Sequence, residues 1–344
     1  MGVDLKDLIP KKEVTLEDLN GRSVAVDAYN TLYQFLAIIR QPTGEPLTDR
    51  EGRITSHLSG LLYRNSNLIE KGIQLVYVFD GKSPSLKEVE VKRRRTIKDE
   101  AFHKYGEAVK QGNFEEARTY AQMTSQLKDS MVGDAKKLLS LMGIPWVQAP
   151  SEGEAQAAHM TRKGDVWATA SQDYDSLLFG STRLVRNLTI TGRRKLPRKD
   201  VYVEVFPEII ELQYVTQLLN VTLPQLVDIG ILIGTDFNPD GVRGIGPKTA
   251  LKLITEHGAL EKVLPQFPEA EYLTDKLGIR NIFLKPETTD KYEIKWAAPD
   301  VEGIMHFLCD ERDFSEERIK GAIGKITSSL KEMEGKTTLE SWFK

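Results

Sequence analysis

The sequence predicts an α/β fold, a mostly parallel twisted sheet with helices on both faces, and three observations carry that prediction. Three short apolar runs each end on an aspartate: Val24-Ala25-Val26-Asp27, Leu75-Val76-Tyr77-Val78-Phe79-Asp80 and Val166-Trp167-Ala168-Thr169-Ala170-Ser171-Gln172-Asp173. Their length and their content of Val and aromatics fit buried strands of a parallel sheet. Residues near 22 to 80 then read as strand, helix, strand, the order a parallel crossover requires. Finally, the ligand crevice of an open α/β sheet lies beyond the carboxyl ends of its strands, where all three aspartates fall.

Taken in order, a helix begins just after Asp27 and carries Leu32, Phe35, Leu36 and Ile39 at helical spacing. A hydrophilic loop follows at residues 41–46, punctuated by Pro42 and Pro46, and a second helix covers about Ser56 to Lys71. From Gly81 to about Asp129 the chain turns long, charged and helical, with Lys87, Lys92, Arg93, Arg94, Arg95 and Lys98 followed by Tyr105, Phe114 and Tyr120. A generic charge run is a solvated helical face. This one is inserted directly after Asp80, which favours a grip on phosphate. Ser130 to Met142 reads as an amphipathic helix stopped by Gly143, with Pro145 beyond. An acidic helix starts at Ser151, and about Thr182 to Val205 is a basic, β-leaning stretch with Arg193-Arg194-Lys195. The remainder to about Leu330 reads as mainly helical, and 334–344 as a tail.

Two acidic pairs, Glu152 with Glu154 and Asp173 with Asp175, join the strand-end aspartates, and the apolar segment Ile229 to Ile233 leads through Gly234-Thr235 to Asp236. Asp27, Asp80, Glu152, Glu154, Asp173, Asp175 and Asp236 are thus expected around one crevice. Seven carboxylates cannot gather unpaired, because repulsion and desolvation would raise their pKa values. Hard divalent cations are the natural counter-charge, and an oxygen-only donor set suits Mg²⁺ or Mn²⁺. The structural alternative for any one of them is a helix cap. Ser151 with Glu154 also fits a capping box. The coincidence of several at strand ends favours a metal site for the set.

The chain has 344 residues, enough for one large domain or two ordinary ones, and its 40% hydrophobic and 28% charged content is that of a soluble globular protein. No apolar stretch is long enough to span a bilayer, and Met1-Gly2-Val3-Asp4-Leu5-Lys6 has neither a signal peptide's pattern nor a myristoylation signal. The single Cys309 excludes an internal disulfide and fits a reducing cytoplasm. A net charge of −3 argues against nucleic-acid binding only until the seven acidic site residues are set aside, which leaves the rest net basic.

A second motif, Arg243-Gly244-Ile245-Gly246-Pro247-Lys248-Thr249-Ala250, lies between helical patterns at Leu223 to Ile233 and Pro247 to His257. A Gly-x-Gly turn lets backbone N–H groups approach a phosphate, Pro247 suits the first helical position, and the helix N-terminus and Lys248 add positive field. This is a helix-hairpin-helix pattern for gripping a DNA backbone; a tight turn between helices is its structural alternative. The third motif is the end of the chain, Lys336-Thr337-Thr338-Leu339-Glu340-Ser341-Trp342-Phe343-Lys344. Leu339, Trp342 and Phe343 form a small apolar plug suited to a partner's groove, unless the tail packs on its own domain.

The acidic set, the Gly-Ile-Gly-Pro-Lys hairpin and the plug together resemble the flap endonucleases, structure-specific 5′ nucleases of replication and repair, over essentially the whole chain. The archaeal form is the nearest match, since no basic extension follows the plug. The resemblance implies a PIN-like 5′ nuclease fold over residues 1–330. Its parts would be about 1–130 with a helical arch at about 81–129, about 131–260 with the helix-hairpin-helix at about 223–257, and a helical part at about 261–330. Residues 331–344 would be a clamp-binding tail.

Carried over by residue, the resemblance assigns Asp27, Asp80, Glu152 and Glu154 to one Mg²⁺ or its waters and Asp173, Asp175 and Asp236 to a second. Mn²⁺ would substitute for either, and the two ions would sit about 4 Å apart. Lys87 and Arg94 would contact the scissile phosphate as catalytic residues. Tyr33 would stack on a terminal base, Arg40 and Arg64 would contact DNA, and the hairpin Arg243, Gly244, Gly246 and Lys248 would hold the duplex with K⁺ on its carbonyls. Gly2 would lie near the site once Met1 is removed. Asp175 shows no structural duty in the sequence. Leu339, Trp342 and Phe343 would enter the sliding clamp (PCNA), where Lys336 replaces the usual Gln. The implied reaction removes 5′ flaps from branched DNA, with 5′ to 3′ exonuclease activity, by a monomer in a prokaryotic cytoplasm at the nucleoid. A sister 5′ nuclease acting on bubbles or junctions, and a non-catalytic junction scaffold on the clamp, are the rivals.

Overall fold

The structure is a computed structural model that describes residues 2–41, 43–124, 126–195, 201–268 and 276–342. Among the described residues there are nine strands: β1 Lys12–Glu13, β2 Ser23–Asp27, β3 Gln74–Phe79, β4 Trp146–Gln148, β5 Ala168–Ala170, β6 Arg183–Arg186, β7 Gly192–Lys195, β8 Tyr202–Val205 and β9 Glu208–Glu211. Seven form one sheet in the order β1-β9-β6-β5-β2-β3-β4, and β7 with β8 forms a separate antiparallel hairpin. Pairing is parallel from β4 through β6, and β9 and β1 close one edge antiparallel.

The expected crossovers are there. Asp27 caps the helix Ala28–Ile38 by accepting from the Asn30 N–H at 3.0 Å, and Leu32, Phe35 and Leu36 of that helix are buried. The helix Ser56–Glu70 follows, burying Leu58, Leu61, Leu62 and Leu68. Alternation along β2 sends Val24 and Val26 to one face and Ala25 to the other. The first face packs with Leu75, Tyr77 and Phe79 against the helices Ser56–Glu70 and Asp129–Leu141 and the Ile319, Ile323 and Ile326 side chains. The second face, with Val76, Val78 and Val147, is covered by Ala157 and Met160 of the helix Gly153–Lys163. A further apolar cluster joins Val3 and Leu5 to Leu177, Leu178, Ile229 and Ile254. Each fully buried Leu or Ile contributes roughly 1.5–3 kcal/mol, so these layers hold the strand ends rigidly.

Four expectations need correction. The run ending at Asp173 is a strand only over Ala168–Ala170, because the Asp173 N–H turns back to donate to Ser171 Oγ at 3.2 Å. Ser151 and Glu154 form no capping box: Glu152 is the N-cap of Gly153–Lys163, without a side-chain cap. The stretch 285–300 carries neither helix nor strand, an exception within a mainly helical remainder. It is strapped to the body by Gln156, which exchanges two hydrogen bonds with the Thr289 backbone at 2.9 and 2.8 Å, and by Trp296 Nε1–H donating to the Leu75 carbonyl at 2.8 Å. The chain end is not a loose tail in its backbone, since one helix runs Glu316–Trp342 through Lys336 and Leu339. Phe343 lies outside the described residues.

The insertion is helical as expected. A short 3₁₀ turn, Ser85–Lys87, leads into the helix Glu88–Lys110, and Phe114–Met123 returns beside it. The hairpin region also matches: the helices Leu223–Ile233 and Pro247–His257 flank residues 234–246.

Candidate active site

The strand register brings the acidic residues together. Asp27 pairs across the sheet with Val78, and Val26 lies between Tyr77 and Ala170, so β2, β3 and β5 end side by side. Asp80 follows β3 directly, and its Oδ1 accepts from the Gly153 N–H at 2.6 Å, which seats Glu152 and Glu154 at the start of that helix. Asn30 ties the set across the first crossover: its backbone donates to Asp27, and its Nδ2 donates to Asp173 Oδ2 at 3.0 Å. Ser176 Oγ donates to Glu154 Oε1 at 3.0 Å.

The N-terminal segment closes the crevice. The Gly2 N–H donates to Asp173 Oδ1 at 3.3 Å and the Val3 N–H to Asp175 Oδ1 at 2.7 Å. A Cβ on Gly2 would stand 2.5 Å from Asp175 Oδ1, so only glycine lets the segment lie there. Asp175, which the sequence left without a structural duty, therefore anchors the chain start and is 4% exposed.

Two cations from the insertion reach into the crevice. Lys87 Nζ lies 2.5 Å from Glu152 Oε2 and 3.6 Å from Asp236 Oδ2, and Arg94 Nη2 lies 2.6 Å from Asp236 Oδ1. Arg94 Nε also donates to Glu90 Oε1 at 2.8 Å.

The electrostatics divide the carboxylates into two groups. Burial raises Asp236, but Arg94 and Lys87 outweigh it and hold this carboxyl below its ordinary range. Asp27 is pushed well above that range by burial and then by the Asp80 and Asp173 charges. Glu154 rises likewise through burial and then Asp175, Asp27 and Asp173. Burial and Glu152 push Asp80 up to about 6, and burial with Asp236 and Asp173 pushes Asp175 up to about 7. Lys87 is raised: burial opposes its charge, and Glu152, Asp236 and Asp80 overcome that. The crevice thus holds more negative charge than its own cations neutralise.

All seven expected carboxylates face this crevice, through the shared partners and mutual fields just described. Among the described residues, however, no group of three or more His, Cys, Asp or Glu side chains is arranged to hold a metal ion. Lys87 and Arg94 occupy Glu152 and Asp236 instead.

The expected DNA contacts divide between the crevice rim and the hairpin. Tyr33 is half-buried, with Lys98 Nζ 4.7 Å from its ring centroid. Arg40 Nη1 donates to the Gly44 carbonyl at 2.8 Å, and Arg64 Nη1 to the Thr191 carbonyl at 2.9 Å, so both are tied to backbone. Burial lowers the pKa of each. At the hairpin, Arg243, Gly244, Gly246 and Lys248 are all exposed, and buried Ile245 pins the turn. Gly244 has φ +82°, which only glycine adopts without strain. No side chain caps the helix Pro247–His257, which leaves its first amides facing solvent.

Sequence reasoning missed Asn30 and Glu90. Asn30 had a signal, since it stands three residues after a capping aspartate. Glu90 had only its spacing of four before Arg94.

Residues 1–101 match the XPG N-terminal domain and residues 143–236 the XPG I-region. The chain is 57% identical over 335 residues to Flap endonuclease 1 of Hyperthermus butylicus, covering 96% of each chain. It superposes with a TM-score of 0.75 on the flap endonuclease-1 of Methanococcus jannaschii, at 46% identity over 96% of this chain and 100% of that one. The catalytic core of Rad2 in complex with a DNA substrate gives 0.71 at 22% identity over 95% of this chain and 100% of that one, a likeness of fold alone.

Proposed function

The chain belongs to the flap endonuclease family, and on that premise we propose that it removes 5′ single-stranded flaps from branched DNA by phosphodiester hydrolysis assisted by two divalent cations. The observation that carries the chemistry is the crevice itself, where seven carboxylates converge beneath a basic helical insertion. The donor set fits the cations: it is all oxygen and largely buried, and Asp27, Asp80, Glu154 and Asp175 are each pushed upward by burial first and then by neighbouring carboxylates. Asp27, Asp80, Glu152 and Glu154 would hold one Mg²⁺ or Mn²⁺ and Asp173, Asp175 and Asp236 the other. Such a pair supplies an activated water and stabilisation of the leaving oxygen.

The chain's own residues do the rest. Lys87 and Arg94 extend from the foot of the insertion and would offset charge that develops on the phosphate. Asn30 and the Val3 amide fix the orientation of Asp27, Asp173 and Asp175. Tyr33 would stack on a base at the crevice rim once Lys98 moves aside. The exposed hairpin 243–248 would hold the duplex through backbone amides, Arg243 and Lys248, with K⁺ at its carbonyls. The flap would pass under the insertion, and cleavage would leave a 5′-phosphate and a 3′-hydroxyl. The same site serves 5′ to 3′ exonuclease action in replication and repair.

Cutting assays on flap, bubble and four-way-junction DNA, with Mg²⁺ and with a chelator, test this reading. Flap cleavage that survives the chelator, or preference for bubbles or junctions, would overturn it. The proposed clamp contact through Lys336, Leu339, Trp342 and Phe343, made by a monomer, has its own test. Deleting 337–344 should abolish stimulation by the sliding clamp and leave clamp-independent cleavage unchanged. Lost thermal stability with unchanged clamp binding would mean that the segment packs on its own domain.

A further inference from the structure

Lys87, at the N-cap, and Glu90, Arg94 and Lys98 of the helix Glu88–Lys110 recur at intervals of three or four, which places them on one stripe at the start of the insertion. Every member of that stripe is engaged with the crevice wall or with its neighbour. Lys87 bridges Glu152 and Asp236, Arg94 joins Asp236 to Glu90, and Lys98 covers Tyr33. Arg93, beside the stripe, lies 3.6 Å from Asp240. The insertion is therefore stapled to the body by the same two carboxylates that the proposed metal reading requires. Lys87 is held tightly, with its side chain 16% exposed.

We infer that the Lys87 ammonium and the Arg94 guanidinium act as resident counter-ions of the acidic crevice, and that divalent cations and these side chains exclude one another there. Loading the crevice with divalent cation displaces Lys87 and Arg94 from Glu152 and Asp236. The displacement unlatches the first turns of Glu88–Lys110 and turns both cations toward an incoming phosphate. The inference rests on the metal reading above and adds a direction to it: cation binding and docking of the insertion are negatively coupled. Coupling is reciprocal, so whatever weakens docking must tighten cation binding.

Titration calorimetry with Mn²⁺ on the full chain, without DNA, tests it. Lys87→Met keeps the side chain's bulk and removes its charge, and should tighten Mn²⁺ binding on the order of tenfold, since a unit charge a few ångströms away is gone. Arg94→Gln, at a more exposed position, should tighten it several-fold. A second readout is amide hydrogen exchange across 88–110, which should speed up when Mn²⁺ or Ca²⁺ is added to the wild-type chain. Unchanged or weakened Mn²⁺ affinity in both variants, or slower exchange, overturns the inference. A wild-type chain whose Mn²⁺ binding is absent, or survives Asp80→Asn combined with Asp175→Asn, overturns the metal reading beneath it, so the two failures are distinct. Arg94→Gln, at the more exposed of the two positions, keeps the test decisive should Lys87→Met fold poorly.

Discussion

The crevice and the hairpin 243–248 are both proposed to meet phosphate, yet they are built in opposite ways. In the crevice the charges are buried, acidic, and held by Asn30, the Val3 and Gly153 amides, Lys87 and Arg94. At the hairpin Arg243 and Lys248 stand exposed. Buried charges interact strongly and are screened little by salt, whereas exposed ones act over a Debye length and fade as salt rises. The crevice is thus suited to a transition state, where geometry and low dielectric decide the rate. The hairpin is suited to holding any duplex without reading it.

The largest expected effect breaks the crevice side. Asp175→Asn keeps an acceptor for the Val3 N–H but removes a charge from the set, so cleavage should fall at least about 10²–10³-fold while flap-DNA binding persists. Near-normal cutting by this variant in a single-turnover assay would remove Asp175 from the chemistry. Lys87→Ala and Arg94→Ala come next. Each should lower the single-turnover rate on the order of 10²-fold, with a much smaller change in binding, because their contacts with phosphate strengthen as charge develops.

The hairpin should behave in the reverse sense. Arg243→Ala or Lys248→Ala should weaken DNA binding and reduce the slope of log affinity against log salt by about one, with the rate of the bound complex unchanged. If all four basic substitutions altered binding alone, the division between the two regions would collapse.

The smallest expected effect concerns stability. Asp175 stands at about 7 and Asp80 at about 6, against 3.8 for an ordinary aspartate. Across that window the folded chain holds more protons than the unfolded one, so the crevice favours folding at low pH and stability falls as pH rises. With a chelator present, Tm should drop on the order of 5 °C between about pH 5 and pH 8, and added Mg²⁺ should restore it at the upper end. At the hairpin, whose charges are exposed and already solvated, alanine substitutions should leave that pH profile unchanged. A flat profile with chelator would mean that the crevice carboxylates are compensated already.

The sequence by itself determined the parallel sheet, the positions of β2 and β3, the helical insertion, the two helices around residues 234–246, and the seven acidic residues that end in one crevice. These were legible because strand burial, helical spacing and turn chemistry are local properties, written within a few residues of one another. The rule for open α/β sheets then converts strand ends into a place. Tertiary structure decided what the carboxylates touch. Asn30 reaches Asp173 across 143 positions, the Val3 amide reaches Asp175 across 172, and Arg94 reaches Asp236 across 142. Contacts so distant in the chain leave no periodic trace, which is why Asp175 read as idle. The strapped stretch 285–300 was decided the same way, whereas β5 ends at Ala170 for a local reason. A single hydroxyl at Ser171 stops the strand, and Gln156 and the Leu75 carbonyl, far off in the chain, hold the strap in place of helical hydrogen bonds.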